Sequence, residues 1–262
     1  MEKINVYNLE GKKKVLIDLP KIFLAKPRRD IVQKTSEILQ SNKRQIQGRD
    51  KRAGLRNTAV SWGTGHGMSR APRIQGSGFP TARNVGRVPF AQGGRRAHPI
   101  KIEKKIKKKV NRKSKIKSLI SAISASGDVN WVRNKGHLTD NIPEIPLVVD
   151  DKIQTIKKTS VMYSTLCDLG LKNELTKAKK SRKVRAGKGK RRGRKYKSKK
   201  GILIIIKEDF GIVKASRNLP GTDVIKFEDL NIDYLAPGGV PGRLIVWSQS
   251  AFNELNKFEG YT

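Results

Sequence analysis

The sequence has 262 residues, with 58 lysines and arginines against 22 aspartates and glutamates, a formal charge of +36 and a hydrophobic fraction of 36%. Self-repulsion in so positive a chain opposes compaction unless a polyanion neutralises it, so nucleic acid is the expected partner. No run of about 18 apolar residues and no apolar stretch after Met1 occur, so neither a membrane span nor secretion is expected. The length suits one mid-sized domain with appendages.

The charge is segregated. Residues 43–117 carry 22 lysines and arginines against Asp50 and Glu103, and residues 176–200 carry 15 against no acid, so the two stretches hold +35 of the +36. The remainder is nearly neutral, as in an ordinary folded domain. Cys167 is the single cysteine, which excludes an intrachain disulfide, and His66, His98 and His137 are too scattered for a Cys/His zinc site. A cytosolic protein without metal or cofactor is expected.

In chain order, residues 2–6 read as a strand, and 4–7 with 15–18 form a hairpin through Glu10-Gly11. Pro27 suits a first helical turn, and Ile31, Thr35, Ile38 and Leu39 recur at helical spacing before Gly48. Residues 45–98 show no sustained period and are rich in Gly, Arg and Pro. A structureless stretch of that length is rare inside a compact domain and is either disordered or ordered by a partner. Doubled back at about 3.3 Å per residue it could reach up to about 80 Å. Ile102, Ile106 and Val110, then Ile116, Leu119, Ile120 and Ile123, restore helical spacing down to Ser126-Gly127 and predict one long helix whose first half is coated with lysines.

Four short apolar runs follow, at 147–149, 202–206, 223–227 and 244–247. Helical stretches alternate with them: one through Ile156, Met162, Leu166 and Leu169 stopped by Gly170, then 210–215, 230–235 and 250–258. Unbroken apolar strands alternating with helices imply a mainly parallel sheet covered on both faces. The expected fold is therefore α/β, a single three-layer domain with roughly four strands. Residues 1–44 and 99–262 form the globule, 45–98 a long extended loop inserted into it, and 176–200 a basic insert.

Candidate RNA contacts in the first basic stretch are Arg49, Arg52, Arg56, Arg70, Arg73, Arg83, Arg87, Arg95, Arg96 and His98, followed by Lys105, Lys108 and Arg112. Arginine donates bidentately to phosphate and stacks on bases, and the interspersed glycines lack the Cβ that keeps a main-chain N–H from a crowded phosphate. Trp62, Phe79 and Phe90 supply stacking surfaces among them. In the second stretch Arg182, Arg185, Lys188, Lys190, Arg191, Arg192, Arg194 and Lys195 can neutralise many phosphates, with glycines keeping the segment extended and adaptable.

Enzyme signals are poor. Gly63-Thr64-Gly65-His66-Gly67 begins like a dinucleotide fingerprint, but Met68 stands where the third glycine belongs and no periodic helix follows. Asp150 and Asp151 end an apolar strand, where α/β enzymes place acids, yet capping or pairing with basic neighbours explains them as well. His98 and His137 have no acid or thiol nearby in sequence and suit ordinary hydrogen bonding. Cys167, beside Leu166 on an apolar helix face, suits the core. No catalytic or metal-binding residue is assigned.

Several strings then resemble a known family. Trp62-Gly63-Thr64-Gly65-His66-Gly67, Arg70-Ala71-Pro72-Arg73 and Gly93-Gly94-Arg95-Arg96-Ala97-His98-Pro99 are similar to the extended loop of the universal L-four family of large-subunit ribosomal proteins, in its archaeal and eukaryotic form. Gly136-His137, Pro146-Leu147-Val148-Val149, Arg217-Asn218-Leu219-Pro220-Gly221 and the specific string from Leu235-Ala236-Pro237-Gly238-Gly239 to Arg243-Leu244 continue the likeness over nearly the whole chain, and the length looks archaeal. The resemblance implies a cytoplasmic protein, one copy per large subunit, that binds several ribosomal RNA domains early in assembly and touches neighbouring ribosomal proteins. It also implies a loop lining part of the exit tunnel and meeting the nascent polypeptide, with Gly65, His66, Gly67, Met68, Ser69, Arg70, Arg73, Gly76 and Phe79 as candidates for the wall. The sequence departs from the family where His66 and Lys135 replace arginines common in relatives; the latter bears on a bidentate contact. Two rivals stay open on sequence alone: an RNA-modifying enzyme with basic arms, and a DNA-compacting protein.

Overall fold

A computed structural model describes residues 3–256. Two compact units are present, one of residues 1–40 with 109–262 and one of residues 41–108. The first holds a six-stranded sheet in the order β2-β1-β3-β8-β6-β7, formed by β1 (Lys3–Tyr7), β2 (Lys13–Asp18), β3 (Leu147–Val149), β6 (Leu203–Ile206), β7 (Asp223–Lys226) and β8 (Ile245–Ser248). Only β1 with β2 is antiparallel; Val6 pairs in parallel with Val148, Leu147 with Val246, Leu203 with Ile245 and Ile204 with Val224. The mainly parallel α/β sandwich expected from sequence is thus present, with six strands rather than about four. The N-terminal hairpin extends the sheet through β1, a pairing that apolar patterning cannot reveal because it fixes faces and not neighbours.

Helices cover both faces: α1 (Arg29–Asn42), α2 (Arg112–Ser126), α3 (Val129–Lys135), α4 (Thr159–Asp168), α5 (Lys172–Lys180), α6 (Ile212–Ser216), α7 (Ile232–Leu235) and α8 (Gln249–Asn253). Side chains alternate across a strand, so the continuous apolar runs feed two cores. Val148, Leu203, Ile205, Ile245 and Trp247 join Val32 of α1, Ile120 and Ile123 of α2, Ile232 of α7 and Phe252 of α8. Leu147, Val149, Ile204, Ile206 and Val246 join Val132 of α3, Met162 and Leu166 of α4, Leu175 of α5 and Ala215 of α6. In the first core Phe23 stacks on Phe252 with ring centroids 5.6 Å apart, and Trp247 meets Phe23 edge-on at 6.5 Å. Serines stud the buried face of α2 because the preceding segment needs its backbone satisfied: Ser121 Oγ bonds the Arg28 main chain and Ser124 Oγ donates to the Phe23 and Ala25 carbonyls.

Several boundaries differ from expectation. The long helix predicted from Ile102 onward begins only at Arg112, and residues 105–110 belong to no helix or strand. Lys104, Lys105, Lys107, Lys108 and Lys109 would stack like charges three and four positions apart, which opposes a helix there. The stretch through Ile156 splits into a 3-10 turn (Asp151–Thr155) and α4, and α3 and α5 emerge where no element was expected. The last helix ends at Asn253; Phe258 of the predicted 250–258 helix, like Glu2 of the first strand, lies outside the described residues. Cys167, expected in the core, is half-buried.

Arg243 is the most consequential buried polar group. Its side chain is 1% exposed, yet it donates to the carbonyls of Gly201 (2.8 Å), Tyr234 (2.8 Å) and Ile202 (3.2 Å) and to Asp223 Oδ2 at 2.6 Å. It thereby ties β7 to the segments leading into β6 and β8. Burial pushes the Asp223 carboxyl up, but the hydrogen bonds from Lys200 and Arg243 outweigh it and hold it below the ordinary carboxylate value. A carboxylate with a depressed folded pKa stabilises above its unfolded pKa of about 3.9, and that stability is lost as pH falls through the folded value. Asp223→Asn strands a buried guanidinium and is expected to cost about 3 kcal/mol at neutral pH in urea unfolding. Below about pH 4 the gap between variant and parent should shrink; a gap constant down to pH 2 would contradict this assignment.

Candidate nucleic-acid interface

Residues 45–98, expected to be disordered unless a partner orders them, have a good deal of internal structure within the unit 41–108. At the base of the unit Ser41 Oγ donates to the Ile106 carbonyl, the Asn42 side chain bonds the Lys108 backbone in both directions at 2.8 and 3.0 Å, and Arg49 N–H donates to Ile100 O at 2.9 Å. Further along, Val60 pairs with Arg73 and Arg73 with Val85, so three passes of chain lie side by side around the buried Ala59. Apolar residues are too few there to build a core, and polar bonds carry the shape instead.

The candidate arginines divide by what they touch. Arg87 donates through Nε to Asn57 Oδ1 at 3.1 Å and through a terminal nitrogen to Asn57 O at 2.6 Å. Arg73 donates to the Arg83 carbonyl at 3.2 Å and lies over Trp62, 5.8 Å from the ring centroid, while Trp62 meets His66 edge-on at 5.8 Å. Arg56 pairs with Asp50 at 2.7 Å. Arg83 has φ of +62° and lends its backbone to the fold of the unit. These residues shape the unit. By contrast Arg49, Arg52, Arg70, Arg95 and Arg96 are exposed and have no side-chain hydrogen bond or ion pair among the described residues; His98, Lys105, Lys108 and, in the other unit, Arg112 are exposed as well.

Gly65, His66, Gly67, Met68 and Ser69 form an exposed bend next to Arg70. Gly63, Gly65 and Gly67 have φ of +81°, +93° and +62°, and an added Cβ at any of them would meet nothing within 4 Å. Backbone conformation, not internal crowding, therefore demands glycine there. Phe79 packs beside Gly76 yet stays 42% exposed, and Phe90 is 77% exposed, so both aromatic faces are open.

The basic insert is more ordered than expected. Its first residues, 176–180, belong to α5, and the rest folds into a hairpin in which β4 (Lys183–Val184) pairs antiparallel with β5 (Tyr196–Lys197) around a 3-10 turn at Lys188–Arg192. Arg185 N–H donates to Lys195 O at 2.8 Å and its Nε to Arg194 O at 3.0 Å, so Arg185 is partly spent on structure. Arg182 lies over the Tyr196 ring at 4.6 Å, with Lys195 5.7 Å from the same ring. Lys188, Lys190, Arg191, Arg192 and Arg194 are exposed. Only Val184 and Tyr196, strand-formers flanking a glycine-rich centre, could have signalled this hairpin.

The polar groups that resembled catalytic ones are committed to structure. Asp150 takes a 2.6 Å bond from Lys14; burial opposes its ionisation, but that lysine holds the carboxyl below its ordinary value. Asp151 accepts from Ser250 N–H, Ser250 Oγ and Gln154. His137, buried, has Nδ1 2.7 Å from Glu174, which also accepts from Leu138 N–H; burial pushes the Glu174 carboxyl up, and His137 with its neighbours pulls it down further. Lys135 donates to both the Pro237 and Val240 carbonyls and so makes a two-acceptor contact. Burial, then the charges of Arg243 and Arg29, lower its pKa to about 8. Among the described residues no group of three or more His, Cys, Asp or Glu could hold a metal ion, and no helix is long and apolar enough to cross a membrane.

The sequence profile of the ribosomal protein L4/L1 family matches residues 17–258. The chain belongs to this family. It is 40% identical to the large ribosomal subunit protein uL4 of Methanopyrus kandleri over 252 residues, covering 96% of this chain and 97% of that protein. It is 41% identical to the uL4 of Methanococcus aeolicus, covering 97% and 99%, and 39% identical to that of Archaeoglobus fulgidus, covering 98% and 99%. The L4/L1 resemblance drawn from the loop strings therefore holds over almost the full length.

The division of the arginines makes a prediction. Arg95→Ala with Arg96→Ala should leave thermal unfolding and amide exchange unchanged while weakening RNA binding. Arg87→Ala should instead raise amide exchange at Asn57 and Ala59 at least tenfold, because two bonds that close the unit are lost. Equal exchange in the two variants would sink the distinction.

Proposed function

We propose that this L4/L1-family protein is a structural component of the cytoplasmic large ribosomal subunit that binds ribosomal RNA through residues 41–108 and the basic hairpin. The observation that carries the reading is the placement of charge: residues 41–108 and 176–200 carry +15 each, 30 of the chain's net +36, and most of those arginines and lysines are exposed. Two cationic segments can bridge RNA elements distant in secondary structure and relieve their mutual repulsion, which suits early assembly and contact with several RNA domains. The relatives' name, large ribosomal subunit protein, supports the same setting. Within it the protein is one copy per particle, touches neighbouring ribosomal proteins, and acts through binding rather than catalysis.

We further assign the exposed bend from Gly65 to Arg70, with Arg73, Gly76 and Phe79, to the wall of the polypeptide exit tunnel, facing the nascent chain. Its support is an exposed, glycine-shaped bend carrying Met68 next to Arg70, with the exposed Phe79 further along the chain, surfaces that serve both RNA and peptide.

Binding to large-subunit RNA should weaken steeply with salt, by about 0.7 to 0.9 log units per log unit of salt for each phosphate neutralised, giving a total slope of several units. A flat response would overturn the electrostatic account, and equal affinity for duplex DNA would favour a DNA-compacting role. In sucrose gradients the native protein should sediment with large subunits. Removal of residues 55–95 should leave the sheet domain folded and able to bind its first RNA site, yet yield defective subunits; unfolding of the sheet domain would refute the division of labour.

A further inference from the structure

Beside the neck of the basic hairpin lies a cleft of about 590 Å³, within the ~300–1,000 Å³ typical of small-ligand sites. Tyr163 of α4, Leu175 and Lys179 of α5, Arg182 at the start of the hairpin, and Asn218 and Pro220 of the turn before β7 line it. We propose that it receives a single unstacked nucleotide of RNA, with the base against Tyr163, Leu175 and Pro220 and the phosphate between Lys179 and Arg182. The inference rests on the RNA-binding reading and assigns it a site on sheet-domain residues outside 41–108.

Four observations support that occupant. The floor is preformed: Leu175 is 2% exposed, and Gly221, at φ +73°, brings the turn so close to α5 that a Cβ there would sit 2.8 Å from that of Ala178. Gly221 O also accepts from Gly201 N–H at 2.8 Å, which fixes the turn to the strand that follows the hairpin. Little ordering is therefore left for a ligand to supply. An aromatic face is available, since Tyr163 remains 42% exposed on a well-packed helix, and stacking on aromatic rings is how unpaired bases are held.

Charge and hydrogen bonding match the rest of a nucleotide. Lys179 and Arg182 stand at the cleft with no carboxylate among the lining residues, and Arg182 is steadied by its 4.6 Å contact with Tyr196. Phosphate is the complementary group. The exposed Asn218 side chain has no partner among the described residues, and its amide can both donate to and accept from a base edge. Finally, the cleft adjoins the base of the basic hairpin, since Arg182 and Ser198 on its two sides both line it.

The test uses the full chain, isotopically labelled, titrated with adenosine, cytidine, guanosine and uridine monophosphates, with ribose 5-phosphate and with inorganic phosphate. At least one nucleotide should move the Leu175 and Tyr163 resonances saturably and bind at least tenfold more tightly than ribose 5-phosphate. Tyr163→Ala, a surface change on α4, should weaken that binding at least fivefold with an unchanged amide spectrum elsewhere. Ribose 5-phosphate or phosphate binding as tightly as the best nucleotide would overturn the proposal in favour of a plain phosphate cradle, and no saturable shift would overturn it outright. Ultraviolet crosslinking of isolated large subunits should join Tyr163 to a nucleotide; a crosslink to a protein side chain instead would also overturn it. Large-subunit RNA binding by the parent chain separates the two readings: RNA bound while the Tyr163 and Leu175 resonances stay unmoved sinks only this site, whereas no RNA binding sinks the broader function.

Discussion

Unpaired positive charge cannot be buried, and that single constraint divides this chain. Thirty-five of its thirty-six net charges sit in two stretches, so the strands and helices between them are free to be apolar. The sheet can then place one side of each buried strand in each of two cores, with Val148 and Trp247 on one face and Val149 and Val246 on the other. Arg243 is the informative exception. It is buried only because three carbonyls and Asp223 surround it, and the strands it joins depend on that set remaining complete.

The fold class was legible because buried parallel strands leave uninterrupted apolar runs, and such runs at 147–149, 202–206 and 244–247 are hard to read otherwise. What was not legible depended on contacts distant in sequence. The union of β1 with β3, Val6 opposite Val148, spans more than a hundred residues and leaves no periodic trace. The helix predicted from Ile102 failed for a local reason: the spacing of Ile102, Ile106 and Val110 is helical, but the lysines between them repel in that conformation.

The interface shows a similar limit. Composition marked out the arginines as a class but could not tell Arg87, whose donors go to Asn57, from Arg95, whose donors face outward. Nor could spacing connect His137 to Glu174, or Asp151 to Ser250, since the partners lie 37 and 99 residues apart and meet only in the tertiary fold. Family membership, by contrast, was carried by short strings in loops, where backbone requirements such as the positive φ at Gly63, Gly65 and Gly67 leave few alternatives.

The acceptors chosen inside residues 41–108 have a further meaning. Arg73 and Arg87 are anchored on neutral amide and carbonyl oxygens, while the segment holds just two acids, Asp50 and Glu103, which meet Arg56 and Lys51. A scaffold braced by carboxylates would cancel one cation for every strut and would slacken in acid. Braced by neutral oxygens, the segment retains nearly its whole electrostatic field while holding its form, so rigidity and attraction for a polyanion do not trade against each other.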